Sequence, residues 1–415
     1  MELRFVDYLI NYSYYYPLYM AFIWMIGAVY YYFHWETGEM EPPKLSEHPL
    51  VSVLVPCHNE ERHIATTIEY LTKNRYPNIE IIAVDDGSTD RTWEILESLA
   101  RKIPNLRIIH FEQNQGKAMA LNAAALASKG EFLVTIDADA ILDEDAIFWI
   151  MHHFLTGPRV GGVTGNPRVR NRSSLLGKIQ VGEFSAIIGL IKRAQRIYGR
   201  IFTVSGVIAA FRKTALHRVG YWHTNMVTED IDVSWRLELD HWQIRFEPHA
   251  LCWMLVPETL GGLWRQRLRW AQGGSEVILK YFKDIFHWQS RRMWGIYAEY
   301  ILSLIWSYSV ILVGIIIVVS FLRGGSMDEF AFTPSIYGTV LGTTFLLQFF
   351  ISLMIDSRYE KGLSKFYYWI IWYPFFFWIV SALSTSVGFV RALVKKKTTQ
   401  ARWHSPDRGI GTDDV

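Results

Sequence analysis

Phe132-Leu133-Val134-Thr135-Ile136-Asp137-Ala138-Asp139 is the stretch on which the fold turns. Its first five residues form an apolar, β-favouring run, the pattern of a parallel strand buried on both faces. Two acids one residue apart close it. Outward from here the same grammar repeats. Toward the N-terminus lie an Ala-rich helix (Lys117–Ser128), a strand (Leu106–His110), a helix (Asp90–Arg101) and a strand (Ile79–Val84). Before these come a stretch of helical spacing (Glu60–Lys73) and a short apolar strand (Leu50–Pro56). Toward the C-terminus, Val160–Thr164 is a candidate fifth strand. Strands alternating with helices predict βαβ units on a parallel sheet, an α/β domain.

This soluble region, Leu45–Arg291, lies between apolar stretches. The first, Tyr14–Phe33, is long enough to cross about 30 Å of hydrocarbon as a helix. It lacks a basic n-region and a small-residue cleavage site, so it reads as a retained membrane helix rather than a signal peptide. Pro42 and Pro43 mark the linker out of it. Three more stretches follow late: Trp294–Leu322, Ile336–Ile355 and Phe366–Val390, the last split by Pro374. Aromatic residues make up 15% of the chain and gather near these stretches, where rings anchor at headgroup level. Basic clusters follow the third stretch (Arg358, Lys361, Lys365) and the fourth (Lys395, Lys396, Lys397, Arg402). The positive-inside rule puts both in the cytoplasm, yet four simple crossings would put the tail outside. A bent or re-entrant last stretch, or a tail lying along anionic lipid, would resolve the conflict. The net charge of +2 gives no reason to expect a nucleic-acid partner. Cys57 and Cys252 read as inert core thiols, with no disulfide framework or zinc site.

In an open α/β sheet, ligands bind beyond the carboxyl ends of the strands. Pro56-Cys57-His58-Asn59-Glu60, Asp85-Asp86-Gly87-Ser88 and Asp137-Ala138-Asp139 all fall there. Asp86 suits a base N–H of a nucleotide, although Asp-Gly-Ser followed by a capping Asp90 is also an ordinary helix entry. Asp137 and Asp139 suit hard Mg²⁺ or Mn²⁺ shared with phosphate oxygens. A capping acid plus a surface acid would look the same. Thr228-Glu229-Asp230 precedes a helix that Thr228 is placed to cap. Asp230 also suits a general base, with Glu229 beside it. Gln266-Arg267-Leu268-Arg269-Trp270 lies in a basic amphipathic stretch, Leu263–Phe286, of membrane-surface type. Arg269 suits diphosphate oxygens, and Trp270 offers a flat face to a sugar ring. Lys117 can reach a nucleotide or stay solvated. Gly165-Asn166-Pro167-Arg168 and Thr203-Val204-Ser205-Gly206 read either as acceptor-site loops or as turns.

Taken together, DDG, DxD, TED and QxxRW in this order resemble the processive glycosyltransferases of family 2, which have the GT-A fold. Longer stretches are similar to the branch of that family that makes poly-β-1,6-N-acetylglucosamine. They include Val163–Arg168, Gly177–Glu183, Thr203–Phe211 and the tail Ala401–Ile410. The resemblance implies a GT-A domain over residues 45–260, after an N-terminal helix and linker at 1–44. Interfacial helices at 261–293, transmembrane helices at 294–394 and a basic tail at 395–415 would follow. It implies Asp86 as the uridine-binding acid, with Glu60, Lys117, Asp137 and Arg269 also at the nucleotide sugar. Asp137 and Asp139 would hold Mg²⁺ or Mn²⁺, and Asp230, with Glu229, would be catalytic. Gln266 and Trp270 would meet the acceptor end. The implied activity is processive, inverting transfer from UDP-N-acetylglucosamine (UDP-GlcNAc) to a growing chain that is exported through the bilayer. The implied setting is a bacterial inner membrane with the catalytic domain cytoplasmic. A small two-span partner subunit and cyclic di-GMP control through that partner are also implied. A cellulose, chitin or hyaluronan type of synthase is the alternative within the family.

Overall fold

The computed structural model describes residues 2–38, 40–324, 336–396 and 401. Lys397, Arg402 and most of the basic tail lie outside the described residues. The chain divides into two compact units. A sheet unit comprises Gly38–Gly177, Arg200–Gly262 and the residues after Val394. A helical unit comprises Met1–Thr37, Lys178–Gly199 and Leu263–Val394.

Among the described residues the sheet unit holds eight strands. They are β1 (Val51–Cys57), β2 (Ile79–Asp86), β3 (Leu106–Phe111), β4 (Phe132–Ile136), β5 (Ile141–Leu142), β6 (Val160–Val169), β7 (Ile208–Arg212) and β8 (Gln243–Met254). Their order is β3-β2-β1-β4-β7-β6-β8-β5. The first four in that order are parallel, with Val53 opposite Ile81 on one side and Val134 on the other. This half is the expected βαβ array. The other half is mixed: β7 runs antiparallel to both β4 and β6. An all-parallel sheet needs a helical crossover packed on the sheet at every step. Between β6 and β7 the chain instead enters the helical unit at 178–199, and no such crossover returns β7 parallel. β8 carries Pro248, which argues against an interior strand. The proline falls where the register breaks, between the Thr164–Phe246 and Asn166–Leu251 pairs, a place where a missing N–H costs little.

Side chains alternate across the sheet and build a core on each face. Val51, Val53 and Val55 pack with Ile64, Ile68, Ile147 and Phe154 on one side. Leu54, Ile82 and Val84 pack with Leu121, Ala124, Val233 and Leu237 on the other. Cys57 and Cys252 are buried thiols, as expected.

In the helical unit, the first helix spans Glu2–Tyr31 and ends in a π-helical turn, Tyr32–Glu36. Among the described residues three helices are long and apolar enough to cross a membrane: Trp288–Leu322, Ile336–Asp356 and Phe376–Val394. The first helix is not one of them. Its many tyrosines, amphipathic by nature, bring down its hydropathy. The expected span Phe366–Val390 is broken: a 3₁₀ segment, Leu363–Ile370, precedes a helix over Tyr373–Val394. Pro374 falls in the first turn of that helix, where no intrahelical N–H is lost.

Beyond Val394 the chain rejoins the sheet unit. Lys395 Nζ donates to the Asn225 carbonyl at 2.7 Å, and Ala401 N donates to the Thr224 carbonyl at 2.9 Å.

Candidate active site

Because β1, β2 and β4 are parallel, their carboxyl ends share one edge of the sheet. Asp86 ends β2 there, and Asp137 and Asp139 follow β4. Antiparallel β7 begins at the same edge, since Ile208 pairs with Ile136. The loop before β7 therefore lies beside the acids, and Asp137 N donates to the Val207 carbonyl at 3.3 Å. The helix Glu229–Leu239 brings Glu229 and Asp230 to the same place from its first turn.

Asp86 is fully buried and fastens a neighbouring turn. Its Oδ1 accepts from Gln115 N at 2.6 Å and its Oδ2 from Gly116 N at 2.8 Å. Burial raises its pKa, and these two N–H groups oppose the rise. Asp85 turns away from this contact, accepting from His110 Nδ1 at 2.8 Å and from the Ser88 hydroxyl. Asp90 does not cap the helix, whose N-cap residue is Arg91, but it holds the entry turn by accepting from Thr92 N at 3.0 Å, so Asp86 is not needed there. Gly87 has φ of 63°, and a Cβ there would lie 2.5 Å from the Gln113 carbonyl carbon, so only glycine fits. His58 Nδ1 lies 2.9 Å from the Asp86 carbonyl and must donate, leaving Nε2 to accept from Asn114 at 3.1 Å. Glu60 is buried at the entry of the next helix, its backbone N held by Thr92 Oγ1 at 2.7 Å.

The turn pinned by Asp86 launches the Lys117–Ala127 helix. Lys117 is half-buried and paired, not a freely solvated loop lysine. Its Nζ donates to Asp137 Oδ1 at 2.5 Å and to the Gly206 carbonyl at 3.2 Å, and lies 3.5 Å from Glu229 Oε1. Burial alone would lower its pKa, but Asp137, Glu229 and Asp230 outweigh that and hold the ammonium well above its ordinary value. Asp139 is the opposite case. Burial, and then Asp137, push its carboxyl up to about 7, against its own backbone N–H, Lys117 and Arg170. An acid in that state would gain from a second positive charge.

Asp230 Oδ1 accepts from Ile231 N at 2.9 Å. A Cβ on Gly206 would lie 2.9 Å from Asp230 Oδ2, so any larger residue there would crowd that oxygen. Thr228 stands at the N-cap position but makes no side-chain cap, and its buried hydroxyl has no partner among the described residues. The capping role expected of Thr228 does not hold. Gly165–Arg168 is not a turn either: it lies inside β6, with Asn166 Nδ2 donating to the Pro248 carbonyl at 2.9 Å.

Gln266, Arg269 and Trp270 sit in the helical unit, on the helix Leu260–Lys280. Arg269 is exposed. Arg267, which sequence reasoning passed over, is buried and stacks its guanidinium 4.3 Å from the centre of the Trp270 ring. Arg170, near Asp139, was also missed. An arginine after a strand carries no signal of its own.

Among the described residues no group of three or more His, Cys, Asp or Glu side chains is arranged to hold a metal alone. Asp137 and the strained-charge Asp139 therefore fit an ion completed by phosphate oxygens and water, not a protein-only cage.

The family model described as glycosyltransferase like family 2 matches residues 48–273, from before β1 through the QxxRW motif. A poly-β-1,6-N-acetyl-D-glucosamine synthase of Staphylococcus epidermidis is 41% identical over 406 residues, covering 96% of this chain and 98% of that protein. The chain belongs to the poly-β-1,6-N-acetyl-D-glucosamine synthase branch of glycosyltransferase family 2. The synthase of Staphylococcus aureus strain COL is 38% identical with the same coverage. The mannosyltransferase PcManGT of Pyrobaculum calidifontis, solved with GDP-Man and Mn²⁺, superposes with a TM-score of 0.64 at 21% identity. That match covers 93% of this chain and 99% of that one, and it establishes the fold as GT-A. This family 2 chain is thus a glycosyltransferase with a mixed-sheet GT-A unit and helices of membrane-crossing length.

Proposed function

We propose that this chain transfers N-acetylglucosamine from UDP-GlcNAc to the 6-hydroxyl of a growing chain, inverting the anomeric carbon and building a β-1,6-linked polymer. The observation that carries the reading is the single edge on which Asp86, Lys117, Asp137, Asp139, Glu229 and Asp230 converge. The synthase names of the staphylococcal relatives supply the sugar and linkage.

In this mechanism Asp86 meets the uracil with the lone pairs its backbone donors leave free. Asp137 and Asp139 would hold a divalent ion, Mg²⁺ or Mn²⁺, whose charge stabilises the departing diphosphate. Lys117 adds positive charge beside it, and Arg269 provides paired N–H donors for the same oxygens. Asp230 takes the proton of the acceptor hydroxyl through Oδ2, the oxygen that a side chain at position 206 would crowd. The freed oxygen attacks the anomeric carbon from the face opposite the nucleotide. The glycosidic bond forms as the bond to the diphosphate breaks, and UDP leaves with that electron pair. Glu229 keeps Lys117 in place, while Gln266 and Trp270 receive the acceptor end.

The polymer would leave through the membrane helices of a multi-pass protein in a bacterial inner membrane, with the sheet unit in the cytoplasm. A small two-span subunit, and cyclic di-GMP control through it, belong to the same proposal on resemblance alone. Asp230→Asn is the direct test. It keeps size and hydrogen bonding but cannot accept the proton, so polymer synthesis should fall at least 100-fold while UDP binding stays within about threefold. A variant that polymerises normally would remove Asp230 from the base role.

A further inference from the structure

Glu183 has no assigned role, yet its placement is unusual. Its carboxylate is 2% exposed, deep in the helical unit. A buried carboxylate is tolerated only when a cation and hydrogen-bond donors compensate for lost water. Both are present. Arg267 Nη2 forms an ion pair with Glu183 Oε1 at 2.9 Å, and the Tyr373 hydroxyl donates to Oε2 at 2.8 Å. The same guanidinium then lies over the Trp270 ring, 4.3 Å from its centre. Phe184, next in sequence to Glu183, meets the Trp270 ring edge-on at 6.3 Å. One short segment thus holds Trp270 twice: through Arg267 against its face, and through Phe184 at its edge.

The segment itself has little freedom. A Cβ on Gly182 would lie 2.8 Å from Ile370 Cδ1, so the backbone beside Glu183 is pressed against the 3₁₀ segment that leads to Tyr373. Tyr373 opens the last apolar helix, Tyr373–Val394. One carboxylate therefore joins the QxxRW helix to the start of the last membrane helix.

We propose that Glu183 is a positioning residue. Paired with Tyr373, it fixes Arg267 and so sets the Trp270 ring as the platform on which the acceptor end rests between additions. The inference deepens the proposed function, because it rests on Trp270 receiving the acceptor. Glu183 touches neither donor nor ion in this account. Its loss should therefore act on retention of the chain and leave donor chemistry alone. Glu183→Gln keeps an acceptor for Tyr373 but drops the charge that holds Arg267. Tyr373→Phe removes one oxygen only and has little reason to disturb folding.

The test uses the full-length protein in membranes with UDP-GlcNAc and a defined oligosaccharide acceptor. Three quantities are read: total UDP release, KM for the acceptor, and product length. In Glu183→Gln the acceptor KM should rise about 10-fold and mean product length fall several-fold, with UDP release within about threefold of wild type. Tyr373→Phe should shift the same way by a smaller factor. Trp270→Ala is the reference. If it changes acceptor KM and length while both other variants match wild type, the positioning role is wrong and the acceptor role of Trp270 stands. If Trp270→Ala itself changes neither, the acceptor reading fails first. Should Glu183→Gln be absent from membranes, Tyr373→Phe decides: wild-type length and KM there overturn the proposal. Loss of UDP release in step with length would also overturn it, because a merely structural defect lowers both together.

Discussion

Lys117 is the residue whose removal should tell most about the acidic edge. Its ammonium sits 2.5 Å from Asp137 and 3.5 Å from Glu229. At an effective dielectric constant of about 20, those contacts are worth about 7 and about 5 kcal/mol of gross attraction. Most of that is offset by the cost of taking the charges out of water. Breaking a buried pair by deleting one partner costs about 3–5 kcal/mol net, because the stranded charge remains. Lys117→Met keeps length and apolar stem while leaving Asp137, Asp139, Glu229 and Asp230 with no ammonium among them. In purified protein with chelator present, thermal unfolding followed by circular dichroism should shift down by about 6–20 °C, at about 2–4 °C per kcal/mol. Lys117→Arg, which keeps the charge, should lose much less. Adding Mn²⁺ should recover more stability in the methionine variant than in wild type, since the ion supplies the missing positive charge. A methionine variant that melts with the wild type, with or without Mn²⁺, would refute the idea that Lys117 balances these acids.

Asp139 gives a pH dependence. Its folded-state pKa is raised to about 7 from an ordinary carboxylate value, so the native protein carries an extra proton between about pH 4 and pH 7. Stability associated with that neutral acid is present at low pH and lost as pH rises through 7, whereas ion binding needs the carboxylate. Mn²⁺ affinity followed by electron paramagnetic resonance should therefore tighten about 10-fold per pH unit up to about 7 and then level off, and a flat profile from pH 5 to 8 would count against it. Gly206→Ala puts a methyl group 2.9 Å from Asp230 Oδ2. Transfer should drop at least 10-fold with melting temperature nearly unchanged, and full activity in that variant would show that the oxygen is not used. The Lys395 and Ala401 contacts with Thr224 and Asn225 put the start of the tail on the same side of the bilayer as the sheet unit. Cysteines introduced as Lys396→Cys and Glu112→Cys, both at exposed positions, should react with a membrane-impermeant maleimide from the same side only. The two natural cysteines are buried and give little background. Labelling from opposite sides would contradict the contacts.

The parallel half of the sheet was legible because its signal is local. Apolar runs such as Phe132–Ile136 alternate with helices, and each acid motif follows a strand end. The mixed half was not, for identifiable reasons. β7 is Ile-Ala-Ala-Phe-Arg, whose alanines carry little strand preference, and its direction depends on a connection that leaves the sheet altogether. β8 hides behind Pro248, which is acceptable only because of a register break that no single strand reveals. At the acidic edge the motifs named the acids, and their pairings emerged only in three dimensions. Asp86 first serves a backbone turn, Lys117 pairs with Asp137, and Thr228 leaves its helix uncapped. Glu183 and Tyr373 lie far apart in sequence, so nothing short of the fold could join them. The membrane topology conflict also arose from counting apolar stretches. The structure breaks the last stretch at residues 371–372 and returns the tail to the sheet unit.

The central claim is tested most directly by supplying membranes that contain this chain with labelled UDP-GlcNAc, with Mg²⁺ or with chelator, and with or without a candidate small subunit. The product is then digested with a β-1,6-specific hexosaminidase. The account predicts label in a polymer that forms only with the divalent ion and is fully degraded by that enzyme. Polymer that resists the enzyme, polymer that forms equally in chelator, or no polymer even with the subunit would contradict it.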